Sequence, residues 1–333
     1  MANKFNLSRR RKKIRRRRIT VITLSIILLL GIGVGAAYLT NDFLNKPSGD
    51  SKNIFGNIQE KIASGKNSSE GKEDNKVAAK PEKPVVKEPL PTDVNKGSNT
   101  SIEGDKYTFS ALDSQKANEH KLPADGKKIV FLTFDDGPSL NNTPVILDTL
   151  KKHDVKATFF VWTKNLDSSN EIRHILKREL EEGHAIGNHS YSHDYKKLYP
   201  GRTANLNNIM SDFDLSNNKL KETLGPDFET KVIRFPGGAM SWKNMQPAKD
   251  AFAAKGIAFA DWNIDSTDAK SNNRTKEQLI NEIKKELDGL EAAKVEKITL
   301  LMHDAPSKKS TVEALPEIIT HFKTKGYEFR TLK

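Results

Sequence analysis

From about residue 125 to the end of the chain, short apolar runs alternate with amphipathic stretches of helical period, and few folds tolerate that alternation. The runs are KIVFLTF at 128–134, ATFFV at 157–161, AIGN at 185–188, VIRF at 232–235, IAFADW at 257–262, ITLLM at 298–302 and YEFRTL at 327–332. Helical stretches lie near 143–152, 171–182, 206–224, 246–255, 275–290 and 311–324, and Gly183 and Gly256 close two of them as C-caps. Seven strands interleaved with six helices predict a parallel α/β sheet, open or closed into a barrel. The 209 residues of 125–333 suffice to bury a full core. In either architecture chemistry gathers at the carboxyl ends of the strands.

The rest of the chain has a different texture. Its 333 residues carry a net charge of +12, but ten cationic residues and no acidic one lie within 1–18. The body is therefore nearly neutral, which speaks against a nucleic-acid partner. The absence of cysteine excludes disulfides, thiolate metal sites and a cysteine nucleophile. Ile19–Leu39 is 21 residues without a charge, about the length that crosses a bilayer's hydrocarbon core. With the basic residues 1–18 as a cytoplasmic tail, 19–39 reads as a transmembrane signal anchor that places the rest outside, at the cell membrane. A cleaved signal peptide, with Gly35 and Ala37 before the cut, is the competing reading. Residues 40–106 are polar and charged, include PEKPVVKEPLP at 81–91, and read as a disordered linker. Residues 107–124 form an approach segment to the domain at 125–333.

The strand ends carry the reactive residues. The first ends in TFDDGPS, where the adjacent carboxylates Asp135 and Asp136 need a cation or a shared proton. The third runs into HSYSH, and on a helical turn His189 and His193 would point the same way. Two imidazoles and one carboxylate, from Asp135 or Asp136, make a three-ligand divalent metal site with positions left for water. The fourth ends in RFPGG. There Arg234 needs a buried carboxylate, with Asp135 the natural partner, and Pro236 and Gly237 shape a loop whose N–H groups can approach a ligand. The fifth leads into DWNIDSTDA, with Asp261, Asp265 and Asp268. The sixth leads into LLMHD, where an acidic neighbour would set the tautomer of His303.

TFDDGP, HSYSH, RFPGG, the WNxDSxD segment and LMH, in this order, resemble the five motifs of the carbohydrate esterase family 4 polysaccharide deacetylases, the NodB-homology domain. The resemblance covers roughly 125–333 and implies a distorted (β/α) barrel. It implies Asp136, His189 and His193 as metal ligands, for zinc most often, with cobalt or another divalent ion able to serve. It further implies Asp135 as catalytic base, oriented by Arg234, and His303 as catalytic acid, paired with Asp268. The N–H of Gly237, after Pro236, is implied as oxyanion donor. The activity implied is hydrolysis of N-acetyl groups on amino sugars of cell-wall peptidoglycan, GlcNAc or MurNAc, with release of acetate. Chitin oligomers, O-acetylated xylan and a non-catalytic wall-binding role are the alternatives. Three departures stand out: Gly237 and Ala269 occupy positions that are often aromatic in the family, and the 35 residues from Asp268 to His303 make a longer stretch than is usual there. The lost bulk leads to the expectation of a widened pocket that admits the lactyl arm of MurNAc.

Overall fold

The computed structural model describes residues 88–333. The basic tail, the uncharged stretch 19–39 and the expected linker up to residue 87 lie outside them. Among the described residues no helix is long and apolar enough to cross a membrane.

The strands are β1 (Thr108–Phe109), β2 (Ile129–Asp135), β3 (Thr158–Val161), β4 (Ala185–Asn188), β5 (Val232–Ile233), β6 (Ala258–Phe259), β7 (Ile264–Asp265), β8 (Lys297–His303), β9 (Glu328–Phe329) and β10 (Thr331–Leu332). One sheet runs in the order β6-β5-β4-β3-β2-β8-β7, and β9 pairs with the start of β2 through Ile129 and Val130. Its ladders are all parallel. Helices Thr143–Lys152, Asn170–Glu181, Leu206–Leu224, Gln246–Ala254, Lys276–Ala292 and Lys309–Thr324 alternate with the strands.

β2 shows how the sequence builds this architecture. All seven of its residues are buried, as a central strand covered on both faces requires. Val130, Leu132 and Phe134 join the core shared with the helices. Ile129 and Phe131 turn the other way and pack inside the curl with Phe160, Val232, Ala258, Ala260 and Leu332. Burying each large apolar side chain contributes about 1.5–3 kcal/mol. By the same alternation Thr133 and Asp135 share the inner face with Phe131. A carboxylate therefore enters the interior at the end of the most buried strand.

The ladder does not close into a ring. β6 and β7, at its two edges, are consecutive in the chain and are not paired with each other. The residues between them span the gap: Ala260 N–H bonds Ile233 C=O (2.8 Å) on one side and Asn263 N–H bonds Thr299 C=O (3.1 Å) on the other. The sheet is thus a curled half-barrel, bridged by a single crossing strand of chain.

Three boundaries differ from the sequence reading. YEFRTL divides into β9 and β10, and the two-residue β7 is too short to show as a pattern. The linker expected to run to 106 ends earlier, because Ser98, Asn99, Thr100 and Ser101 are buried against the domain. Asn99 accepts from Ile186 N–H (2.9 Å) through its carbonyl, and its side-chain amide donates to Ile186 C=O (3.2 Å) and Leu332 C=O (3.0 Å). Hydrogen bonds hold this segment rather than apolar area, so its polar composition was misleading. Within 107–124, β1 pairs with β10, and helix Ala111–Asn118 is capped by the Ser110 side chain.

Candidate active site

Asp135 and His303 are register partners at the carboxyl ends of β2 and β8. Arg234 lies just beyond β5, fully buried, with Nη1 bonded to Asp135 Oδ1 (2.7 Å) and Thr133 Oγ1 (2.8 Å) and Nε bonded to Ala260 C=O (2.6 Å). Its guanidinium lies 4.1 Å over the Phe160 ring centroid. The arginine thus ties three parts of the inner curl together and fixes the Asp135 carboxyl. Burial pushes that carboxyl above its ordinary value, and the Arg234 charge opposes the rise.

Asp136 turns away from the strand with φ at 73°, a left-handed conformation that costs a non-glycine residue about 1–3 kcal/mol. The turn brings its Oδ1 to 3.6 Å from His189 Nε2 and 3.3 Å from His193 Nε2. Ligating atoms of Asp136, His189 and His193 all lie within 4.8 Å of one another. His189 Nε2 is also 3.6 Å from Asp135 Oδ2, so the second carboxylate stands beside the triad. Directly after Asp136, Gly137 passes so close to the buried Asp304 carboxyl that a Cβ there would overlap it.

The two histidines do not lie on a helical turn. HSYSH is an irregular loop in which Ser190 (φ 70°) and His193 (φ 51°) are left-handed. Spacing alone could not separate the two cases, since a loop with two such residues also brings the imidazoles together, here with ring centroids 4.9 Å apart. What holds the loop is Asp212, fully buried on helix Leu206–Leu224. Its Oδ1 accepts from Tyr191 N–H and Ser192 N–H, each at 2.9 Å, and its Oδ2 pairs with Lys197 Nζ at 2.7 Å. Sequence reasoning passed over Asp212, although a carboxylate on the buried face shared with Ile209, Phe213 and Ser216 was a signal.

These residues fit a divalent ion. Asp136 Oδ1 is buried with no hydrogen-bond partner. His189 Nδ1 lies 2.9 Å from Arg234 C=O, an arrangement in which Nδ1 carries the proton and Nε2 presents a lone pair. Burial, with the neighbouring His193, lowers His189 to about 3, so the ring is neutral as a ligand must be. Two imidazole nitrogens and one carboxylate oxygen suit zinc and similar ions.

On the other side, His303 Nδ1 meets Asp268 Oδ1 at 2.7 Å. Asp268 Oδ2 accepts from His303 N–H (2.9 Å) and Thr311 Oγ1 (2.7 Å). Burial works against the Asp268 carboxylate, yet these bonds hold it below its ordinary value. Burial likewise disfavours the His303 imidazolium, but Asp268 outweighs it and raises the ring to about 9.

Pro236 and Gly237 form the loop beyond Arg234. Pro236 C=O accepts from Trp242 Nε1 (2.9 Å), while the Gly237 N–H has no backbone acceptor among the described residues. A side chain at 237 would not face open space: an ideal Cβ falls 3.1 Å from Trp242 and 3.3 Å from the Tyr195 hydroxyl. The widened wall expected from Gly237 is therefore absent, because Trp242, a few residues on, and Tyr195, from beyond the HSYSH loop, occupy it. Ala269 is exposed. Asp261, half-buried in the same segment, accepts instead from Ala239 N–H. A recess of about 540 Å³ opens beside Asp136, walled by Pro138, Leu140, Trp162, Ile172 and Pro306.

A curled parallel sheet with an Asp-His-His cluster that could hold a metal ion, a second carboxylate locked by arginine and an Asp-paired histidine is the arrangement of a hydrolase-type candidate metal centre. The chain belongs to the polysaccharide deacetylase family, whose model matches residues 123–255. It is 35% identical over 209 residues to a putative polysaccharide deacetylase, YheN, of Bacillus subtilis, covering 62% of this chain and 68% of that protein. It is 34% identical over 203 residues to a peptidoglycan-N-acetylglucosamine deacetylase of Bacillus cereus, covering 61% and 68%. Among solved structures, a Streptococcus mutans CE4 esterase superposes with a TM-score of 0.67 at 37% identity, over 73% of this chain and all of that one (100%).

Proposed function

We propose that this protein is a metal-dependent N-deacetylase acting on the N-acetylglucosamine of cell-wall peptidoglycan, releasing acetate and leaving a free amine. The observation that carries the reading is the convergence of the Asp136-His189-His193 cluster with Asp135, 3.6 Å from His189, and with the Asp268-paired His303 beyond. The named activity of the Bacillus cereus relative supports the choice of sugar. Asp136, His189 and His193 would hold the ion, and two nitrogen donors with one oxygen favour zinc. A divalent ion there supplies Lewis acidity, which acidifies water and polarises the acetamide carbonyl.

The chain's own residues supply the rest. Asp135, kept in place by Arg234, takes a proton from the attacking water. The Gly237 N–H donates to the oxygen that becomes negative as the carbonyl carbon turns tetrahedral, and losing a donor of this kind costs about 10²–10³ in rate. His303, protonated at neutral pH through Asp268, gives its proton to the departing nitrogen. That proton favours an amide over an ester substrate, because an amine leaves only when protonated while an alkoxide is less demanding.

The basic residues 1–18 and the uncharged stretch 19–39 support a membrane-anchored placement with the domain outside the cell, facing the wall. The test is incubation of metal-stripped protein, reloaded with zinc or cobalt, with peptidoglycan and with chitin oligomers. Metal-dependent acetate release with glucosamine appearing in the wall polymer, read by mass spectrometry, is the expected result. No release from either polymer with metal demonstrably bound would overturn the reading.

A further inference from the structure

Tyr195 opens the short helix Tyr195–Leu198, which the Asp194 side chain caps by accepting from Lys196 and Lys197 N–H. Two residues after the last metal-ligating histidine, its ring lies 5.3 Å from that of His193. The hydroxyl reaches the opposite loop, 3.3 Å from where a Cβ on Gly237 would lie, an approach that the missing side chain at 237 permits. Tyr195 therefore spans from the metal cluster to the loop that carries the free Gly237 N–H.

Its surroundings are built rather than incidental. The ring stands edge-on to Trp242 at 5.0 Å, and Trp242 stacks on Tyr199 at 4.2 Å while donating to Pro236 C=O. One indole thus fixes both the phenol and the Pro236–Gly237 loop. Yet Tyr195 is 44% exposed, so a large aromatic face looks outward beside the reacting groups. Nothing in the proposed mechanism uses this side chain.

We propose that Tyr195 is a substrate-contacting specificity residue: its hydroxyl donates a hydrogen bond to an oxygen of the amino sugar whose acetamide is held at the metal cluster, and its ring walls that sugar. The inference rests on the deacetylase reading and adds a named recognition contact to it. Phenol and pyranose suit each other, since an aromatic body with one polar tip matches a ring of C–H faces rimmed by hydroxyls.

The test compares the full chain with Tyr195→Phe, zinc-loaded, on chitin tetramer and on peptidoglycan. Losing one hydrogen bond to an uncharged partner predicts a rise in KM of about fivefold or more, larger than any fall in kcat. Zinc affinity, titrated on stripped protein, should stay within about twofold, because the cluster itself is untouched. An unchanged KM would overturn the proposal, as would a parallel loss of zinc affinity, which would make Tyr195 a support for the HSYSH loop. If the unsubstituted chain releases no acetate, the deacetylase reading fails on its own. Tyr195 is then judged by calorimetric binding of the tetramer to both zinc-loaded proteins, where weaker binding by Tyr195→Phe sustains the contact and equal binding refutes it.

Discussion

The pairing of His303 with Asp268 sets the alkaline limit of activity, and Asp268→Asn tests it. The substitution keeps the shape and removes the charge. In the structure the ring is raised from 6.5 to about 9, against the opposing effect of burial. At about 1.36 kcal/mol per pH unit, that difference corresponds to about 3 kcal/mol of preference for the protonated form. Without the carboxylate, burial remains and the ring falls to 6.5 or below. At pH 7.5 nearly every wild-type molecule then carries the acid proton, whereas about one variant molecule in ten or fewer does. The kcat for acetate release from a GlcNAc polymer should fall at least about tenfold at pH 7.5, and the deficit should shrink markedly near pH 6. A bound dication lowers both alkaline limbs, so the comparison rests on their separation. The sign of the stability effect follows too. A group raised on folding stabilises the metal-free protein fully below 6.5, and this contribution fades as pH rises through about 9. The slope should be missing from urea titrations of the variant. An alkaline limb that stays in place in Asp268→Asn, or a loss equal at every pH, would refute the reasoning.

Two further substitutions probe the supports of the site. Asp212→Asn weakens the acceptor for Tyr191 and Ser192 N–H and removes the charge facing Lys197, so zinc affinity should drop by about 10–100-fold while circular dichroism is preserved. Arg234→Ala leaves the buried Asp135 carboxyl without its cation, and urea unfolding should show a loss of about 3–5 kcal/mol along with the activity.

The fold was legible where apolar periodicity is long. The helix read at 206–224 is Leu206–Leu224, and that at 143–152 is Thr143–Lys152, because an amphipathic stripe several turns long leaves no competing conformation. β2 was equally plain as an unbroken apolar run. The site was legible because its residues fall at strand ends: reading DDGP against RFPGG finds Asp135 and Arg234, which stand 2.7 Å apart. Left-handed geometry was not legible. Nothing in HSYSH announces that Ser190 and His193 leave the helical region, since the loop is shaped by Asp212, some twenty positions downstream in the chain. The packed segment at 98–101 was hidden for a different reason. Polar residues that satisfy backbone groups look the same in a sequence as polar residues that face water. Tyr195 was hidden by distance, as it joins the nearby Trp242 in filling a wall that local sequence suggested was vacant.

The central claim is that two adjacent aspartates, Asp135 and Asp136, do different work. Zinc stoichiometry and acetate release, measured together on Asp135→Asn and Asp136→Asn, test it most directly. Asp135→Asn should bind one zinc per chain and release no acetate above background, whereas Asp136→Asn should bind zinc at least tenfold more weakly, on the order expected for a lost ligand. Full zinc binding by Asp136→Asn with loss of binding by Asp135→Asn would contradict the account, as would a fully active Asp135→Asn.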